Sequence, residues 1–222
     1  MIELRNFRVA VLATDGFEEL ELTEPVKALR DIGAQVSILA LKEGQIQGLR
    51  HDRDKTIKVK VDRAIRDVSA VEFDAVHLPG GTVNADSLRM VPEVQAFLRA
   101  MQDAGKPIAA ICHAPWELVS AGLVRGRTLT SYHTIQDDIR NAGGNWLDRA
   151  VVEDGNWVPS RQPDDLPLFN RAIISLFSRS IPAVQRNDKQ LAARRADLAS
   201  WSTRRAGTAQ NNCLPVGGLR IK

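Results

Sequence analysis

Apolar residues in this chain fall into short runs that end at glycine, proline or a charge, and between those runs they recur at helical spacing. Arg8 to Thr14 (RVAVLAT) predicts a buried strand ended by Asp15-Gly16. From Glu21 to Ile32, Leu22, Val26, Leu29 and Ile32 share one helical face, and Gly33 closes the helix. Gln35 to Leu41 reads as a second strand. The polar, glycine-punctuated segment Lys42 to Arg53 reads as a loop. Thr56 to Val61 alternates apolar and charged residues, as a strand with one face in water would. Ala75 to Leu78 is another short strand, which runs into Pro79-Gly80-Gly81. Pro92 to Ala104 is helical, with proline in the first turn and Gly105 just past the end.

Ile108 to Ile111 is a further apolar run that stops at Cys112, and a helix is expected from about His113 to Ala121. Leu129 lies near a short strand, and Thr134 to Ala142 is a helix stopped by Gly143-Gly144. Val151 to Val158 reads as a hairpin turned at Asp154-Gly155, and Pro163 to Phe177 as a last helix. Strands alternating with helices predict an α/β fold whose mostly parallel sheet is covered on both faces. Ligands of such folds sit outside the carboxyl ends of the strands. Asp15, Gly80-Gly81 and Cys112 all fall at that end.

Beyond Ser178 the pattern fails. The segment is rich in Arg, Gln, Asn, Ser and Ala, with a short helix conceivable from Asp188 to Trp201. We therefore divide the chain into a globular domain, 1–178, and a tail, 179–222, expected to be mobile because it holds too little apolar surface for a core. The tail carries nine Lys/Arg against two Asp, so the net +3 of the whole chain leaves the globular part four charges negative. Specific nucleic-acid binding by the body is thus not suggested.

An apolar share of 44% with 26% charged residues is that of a soluble globular protein. No stretch approaches the roughly 18 apolar residues of a membrane span, and the first residues do not form a signal peptide. Cys112 and Cys213 lie far apart, which argues against a disulfide framework and for the cytoplasm. Four histidines without nearby acidic or cysteine partners do not make a zinc site, and no phosphate-binding glycine fingerprint follows the first strand, so no metal or cofactor is expected.

A strand that ends at a cysteine and turns into a helix describes a nucleophile elbow built around a thiol. Unpaired N–H groups at the helix start would stabilise a thiolate and lower its pKa. The competing reading makes Cys112 a small buried hydrophobe. Gly80 and Gly81 allow close backbone approach and could donate N–H bonds to an oxyanion, though Pro-Gly-Gly also makes an ordinary turn. His51-Asp52 reads as solvated, His77 as a packed side chain, and His133 as a residue near the pocket.

Three segments carry a resemblance to a known family: Phe17-Glu18-Glu19-Leu20-Glu21-Leu22 with Pro25, Leu78-Pro79-Gly80-Gly81, and Ala110-Ile111-Cys112-His113-Ala114-Pro115. Thr130-Ser131-Tyr132, Asn141-Ala142-Gly143, Asp154-Gly155-Asn156-Trp157-Val158 and Pro163-Asp164-Asp165-Leu166-Pro167 extend it. In this order they resemble the ThiJ/PfpI superfamily, and within it the intracellular protease I type, over about Arg8 to Phe177. The resemblance implies a flavodoxin-like three-layer α/β/α sandwich with Cys112 as nucleophile, Glu21 as the acid touching its sulfur, and His113 as base. It also implies that Gly80, Gly81 and Ala114 line the oxyanion or substrate site. In protease-like members a third residue comes from a neighbouring subunit. Its position here is Ala85, with Asp86 next to it as the available carboxylate.

What the resemblance implies is a cofactor-free, cysteine-dependent stress-response enzyme acting on reactive carbonyls, of glyoxalase or protein deglycase type, or a peptidase or amidase. Its partners would be small aldehydes, glycated or peptide substrates, and further copies of itself in a homodimer or larger homo-oligomer. The competing class is a non-catalytic redox sensor or chaperone-like protein whose Cys112 oxidises. A glutamine amidotransferase is excluded, because no His-x-Glu follows Cys112.

Overall fold

The structure, a computed structural model, describes residues 3–181. The first apolar run forms strand β1 (Arg8–Leu12), buried beyond Arg8. It is followed by a short β2 (Phe17–Glu18) and helix α1 (Glu19–Asp31), whose Leu22, Val26 and Leu29 are buried as the spacing predicts. Glu21 lies among those buried residues. Strands β3 (Gln35–Ala40), β4 (Gln45–Arg50), β5 (Asp54–Lys60) and β6 (Arg63–Ala64) come next. Then come β7 (Ala75–Leu78), helices α2 (Thr82–Arg89) and α3 (Pro92–Asp103), and β8 (Ile108–Ile111). The second half holds α4 (Pro115–Ser120), β9 (Thr128–Leu129), α5 (Gln136–Asn141), β10 (Asn145–Trp146) and β11 (Trp157–Ser160). A last helix, α6, covers 166–181 of the described residues and so continues past residue 178.

Six strands form the central sheet in the order β11-β8-β7-β1-β3-β6, and every pairing is parallel. β7, β8 and β11 are buried along their whole length, as strands covered on both faces must be. Pro159, which lacks an N–H, is tolerated because β11 lies at the sheet edge. Alternate residues of three strands (Ala10, Leu12, Val76, Leu78, Ile108, Ala110) pack with Leu88, Phe97, Leu98, Met101 and Leu118 into one core. On the opposite face, His77 of β7 meets the Phe169 ring of α6 at 5.8 Å, and Phe7 meets Phe177 at 5.7 Å. The result is a helix–sheet–helix sandwich of flavodoxin-like type. Strand order reverses between β1 and β7, and a crevice opens at such a switch point.

Three local expectations need correction. Residues 42–53 are not a loop, because β4 pairs parallel with β2 and antiparallel with β5. Its alternation is hidden in the sequence by Gly48, a buried position where a Cβ would lie 2.9 Å from the Phe17 ring. Helix α2 was not foreseen, since its buried face includes the polar Asn84 beside Ala85 and Leu88. The hairpin at 151–158 survives only as isolated bridges, Val151 to Ser160 and Asp154 to Trp157, and its second limb joins the sheet as an edge strand. The expectations for Asp188 to Trp201 and Cys213 lie outside the described residues.

Candidate active site

Cys112 directly follows β8 and has φ 63. A side-chain-bearing residue in this left-handed region costs of order 1–3 kcal/mol and persists only where its surroundings enforce it. Here the Cys112 N–H donates to the Ser160 carbonyl at 3.2 Å, and the Tyr132 N–H donates to the Cys112 carbonyl at 2.8 Å. Both bonds fix the bend that aims the sulfur above the sheet edge. The strand-to-helix elbow expected from the sequence is present in the backbone.

The turn after β7 approaches the elbow from the neighbouring strand. A Cβ on Gly80 would collide with the Glu21 carboxyl, the Cys112 side chain and the Ile111 carbonyl, so only glycine fits. Gly81, with φ 93, lies so near the backbone of Gly16 and Glu18 that it too excludes a side chain. Buried Asn84 ties this turn to the end of β1. Its Oδ1 accepts from Thr14 N–H at 2.7 Å, and its Nδ2 donates to the Pro79 and Gly80 carbonyls at 3.0 and 3.2 Å.

Glu21 is fully buried in the first turns of α1. Its Oε2 accepts from Gly80 N–H at 2.9 Å. Among the described residues its Oε1 has no hydrogen-bond partner, and the Cys112 side chain lies close to the carboxyl. Burial pushes this carboxyl well above the usual carboxylate range, and the Glu18 charge adds to the effect. A protonated Glu21 can therefore donate to sulfur.

The expected lowering of the Cys112 pKa is not what the structure shows. Burial pushes the thiol up and the nearby Glu21 charge adds to this, against the N–H groups of Gly81 and His113, which pull it down. The dipole of a six-residue helix does not outweigh desolvation. If one negative charge resides on the pair, sulfur is the better seat, since two backbone N–H groups face it and Glu21 is the more deeply buried.

The same contacts revise the oxyanion assignment. The Gly80 N–H is committed to Glu21, and the Ala114 N–H donates to the Ile111 carbonyl at 3.1 Å. The N–H groups facing sulfur belong to Gly81 and His113.

His113 places Nδ1 3.2 Å from the Cys112 sulfur. Its ring packs against Tyr132 and Trp116, with centroids 4.9 and 5.3 Å away. Burial lowers its pKa, while the Asp52 charge raises it and that of His133 lowers it. Its Nε2 lies 3.4 Å from Thr82 Oγ1 and 3.3 Å from Thr134 Oγ1.

These groups surround a cavity of about 320 Å³, whose wall also includes Glu18, His51, Asp52, Tyr132, Gln162 and Asp164. A larger groove of about 530 Å³, between α1, β3 and β5, is lined by no cysteine or histidine. His51 and Asp52 are exposed, as the sequence reading of a solvated pair expects, and they also line the cavity from the β4–β5 turn, where His51 N–H donates to Glu18 at 2.9 Å and Asp52 accepts from Thr82. Glu18, Thr82 and Thr134 were missed. An acid at a strand end and threonines near turns gave no signal without the topology that gathers them. Asp86, expected to serve the site of a neighbouring subunit, is exposed on α2 and lines no part of its own chain's cavity, while Ala85 is fully buried. Asp15 is exposed, and its carboxylate accepts from Gln47 N–H at 2.7 Å. Buried His77 sets Nε2 2.8 Å from the Glu21 carbonyl, behind the site. Among the described residues, no group of three or more His, Cys, Asp or Glu is arranged to hold a metal ion.

The chain is 42% identical over 170 residues to the protein named Deglycase TK1284 of Thermococcus kodakarensis, covering 77% of this chain and 99% of that one. It is 41% identical over 172 residues to Protein/nucleic acid deglycase 2 of Escherichia coli, covering 77% and 97%. The crystal structure of Drosophila melanogaster DJ-1beta superposes with a TM-score of 0.71 at 30% identity, over 84% of this chain and 97% of that one. The model of the DJ-1/PfpI family matches residues 7–176, a span that contains the elbow cysteine, its buried glutamate and the glycine turn between them. The chain belongs to the DJ-1/PfpI family.

Proposed function

We propose that this protein is a cofactor-free enzyme that uses Cys112 to convert small dicarbonyls, or their early adducts on amino groups, to hydroxy acids. The observation that carries this reading is the Cys112 sulfur at a strained elbow, flanked by Glu21 and His113 and opening on a cavity of about 320 Å³. Near the lower end for small-molecule sites, that volume suits a carbonyl fragment with part of a side chain, not an extended peptide.

In the proposed reaction His113 Nδ1 takes the thiol proton while sulfur adds to the aldehyde carbon of methylglyoxal. The carbonyl oxygen is met by the Gly81 and His113 N–H groups and receives the proton back, giving a hemithioacetal. Removal of the proton on that carbon and its return to the neighbouring carbon convert the hemithioacetal to a thioester. Water then cleaves the S–C bond, releasing lactate and the free thiol. With an aminocarbinol adduct, sulfur displaces the amine, which leaves with the proton held by His113, and the same steps follow. Protonated Glu21 supports the sulfur by hydrogen bonding as negative charge develops on it, on addition and again when lactate is released.

Burial of Cys112 and its raised thiol pKa weigh against the redox-sensor reading, which needs an exposed, easily ionised cysteine. The alanine at position 85 and the modest cavity weigh against a peptidase. Action in the cytoplasm as a homo-oligomer, with a basic tail after residue 178, completes the reading. Among the described residues, no helix is long and apolar enough to cross a membrane. Incubation with methylglyoxal and with glycated lysine or arginine should yield lactate, and Cys112→Ala should abolish it. Absence of turnover on both substrates would reject the proposal.

A further inference from the structure

Within the chain, α2 brings no acid to its own His113, since Ala85 is buried and Asp86 is exposed. An acid reaches it from another direction. The β4–β5 turn places His51 and Asp52 in succession at φ 55 and 56. Two consecutive left-handed residues define a type I′ turn, which strongly favours asparagine and glycine. Histidine and aspartate are among the side chains that tolerate this region best, so the turn forms here without glycine. The turn carries the Asp52 carboxylate to the first residue of α2, where Oδ1 accepts from Thr82 N–H at 2.8 Å and Oδ2 accepts from the Thr82 hydroxyl at 2.7 Å.

That second bond has a consequence for the imidazole. A hydroxyl has one hydrogen. With that hydrogen given to Asp52, the Thr82 oxygen can only accept from its other neighbour, His113 Nε2. We propose that Asp52, through Thr82, locks His113 in the Nε2–H tautomer and so leaves Nδ1 as the lone pair facing Cys112. Asp52 and Thr82 are positioning residues, doing from within the chain what a third acid does beside a catalytic histidine. No proton travels along the chain Asp52–Thr82–His113. When Nδ1 takes the thiol proton, Nε2–H and the Thr82 hydroxyl keep theirs, and the carboxylate steadies the imidazolium. Other titratable groups facing His113 are Cys112 beside it and Tyr132 and His133 from the segment after β9, with Glu18, Glu21, His51 and Asp164 around the cavity.

This rests on the reading of His113 as the base for Cys112, and its test is independent of any carbonyl substrate. Nitrogen-15 NMR of the full chain labelled at histidine, with His113→Gln for assignment, reports the tautomer of the neutral ring. Iodoacetamide alkylation of Cys112 across pH reports the base. Wild type should show Nε2–H. Thr82→Val keeps the backbone bond to Asp52 but loses the hydroxyl. It should mix the tautomers and slow alkylation at neutral pH by about ten-fold, whereas Thr82→Ser should restore both to within about two-fold. Asp52→Asn should move the apparent imidazole pKa down, by removing the charge that raises it. An unchanged tautomer and alkylation rate in Thr82→Val, a Thr82→Ser variant that fails like valine, or a tautomer shift produced by Thr134→Val alone would each overturn the proposal. If the tautomer behaves as stated but no carbonyl is turned over, the proposed activity fails and the positioning role stands.

Discussion

The Glu21 carboxylate oxygen that accepts from Gly80 N–H lies where a side chain on Gly80 would have to be. The two residues are 59 positions apart, on α1 and after β7, and their contact sets how close the carboxyl comes to the Cys112 sulfur. Both halves of the site are thus fixed by one absent methyl group. Gly80→Ala should force Glu21 or Cys112 to shift, destabilising the fold by about 1–3 kcal/mol through overpacking. Urea unfolding measures the loss, and lactate formation should fall with it. A variant of normal stability and activity would show that the packing here is loose.

Glu21→Gln separates the carboxyl's proton from its shape. Protonated Glu21 donates an O–H to sulfur, and the amide N–H of Gln is a weaker donor, so the Cys112 pKa should rise and the pH profile of iodoacetamide alkylation should move to higher pH. Gln also cannot exchange a proton with the substrate. We expect slower alkylation at neutral pH together with turnover reduced by about ten-fold or more. Alkylation that speeds up would mean that Glu21 carries a charge that raises the thiol, not a proton that it shares with sulfur.

The central sheet was legible because β1, β7 and β8 are uninterrupted apolar runs bounded by turns, and because burial on both faces demands that composition. The elbow was legible for the same reason: a run that stops at cysteine just before the helix-starting Pro115 has few other uses. Other parts were hidden by side chains that are missing or misleading. Gly48 removes the apolar mark that would have revealed β4, since Phe17 fills its place. With β4 unseen, the turn carrying Asp52 looked like open loop. Asn84 is buried but polar, so α2 showed no apolar stripe, although its amide bonds to Thr14, Pro79 and Gly80 are satisfied. The direction of the Cys112 pKa could not be read at all, because it depends on how much water reaches the sulfur.

His77 gives the fold an acid limb. It is fully buried, and burial lowers its pKa from 6.5 to about 4. Between those values the unfolded chain binds a proton that the native ring refuses, so stability rises with pH across the window and falls as pH drops from about 6.5 toward 4. The full contribution is about 3 kcal/mol at one tenfold per pH unit. His77→Gln, which can still donate to the Glu21 carbonyl, should flatten that limb of the urea midpoint against pH. An equally steep limb in the variant would assign it to other groups.

Glu117 should show the opposite dependence. It is fully buried on α4, neither carboxyl oxygen has a hydrogen-bond partner among the described residues, and burial raises its pKa well above the ordinary glutamate value of 4.5. The native state therefore holds a proton that the unfolded chain loses once pH exceeds the ordinary glutamate value. Its contribution is fully present below that value and is lost as pH rises toward the native pKa. Nothing in the cavity chemistry touches this side chain, so replacing it isolates the cost of burying it. Glu117→Met, similar in length and a good helix former, should stabilise the protein by about 1–3 kcal/mol at pH 8, the usual scale for an unsatisfied buried polar group. The gain should shrink toward pH 4.5, where wild type no longer bears the cost of holding the proton. A stability difference that stays constant from pH 4.5 to pH 8 would show that Glu117 does not bind its proton more tightly in the folded state.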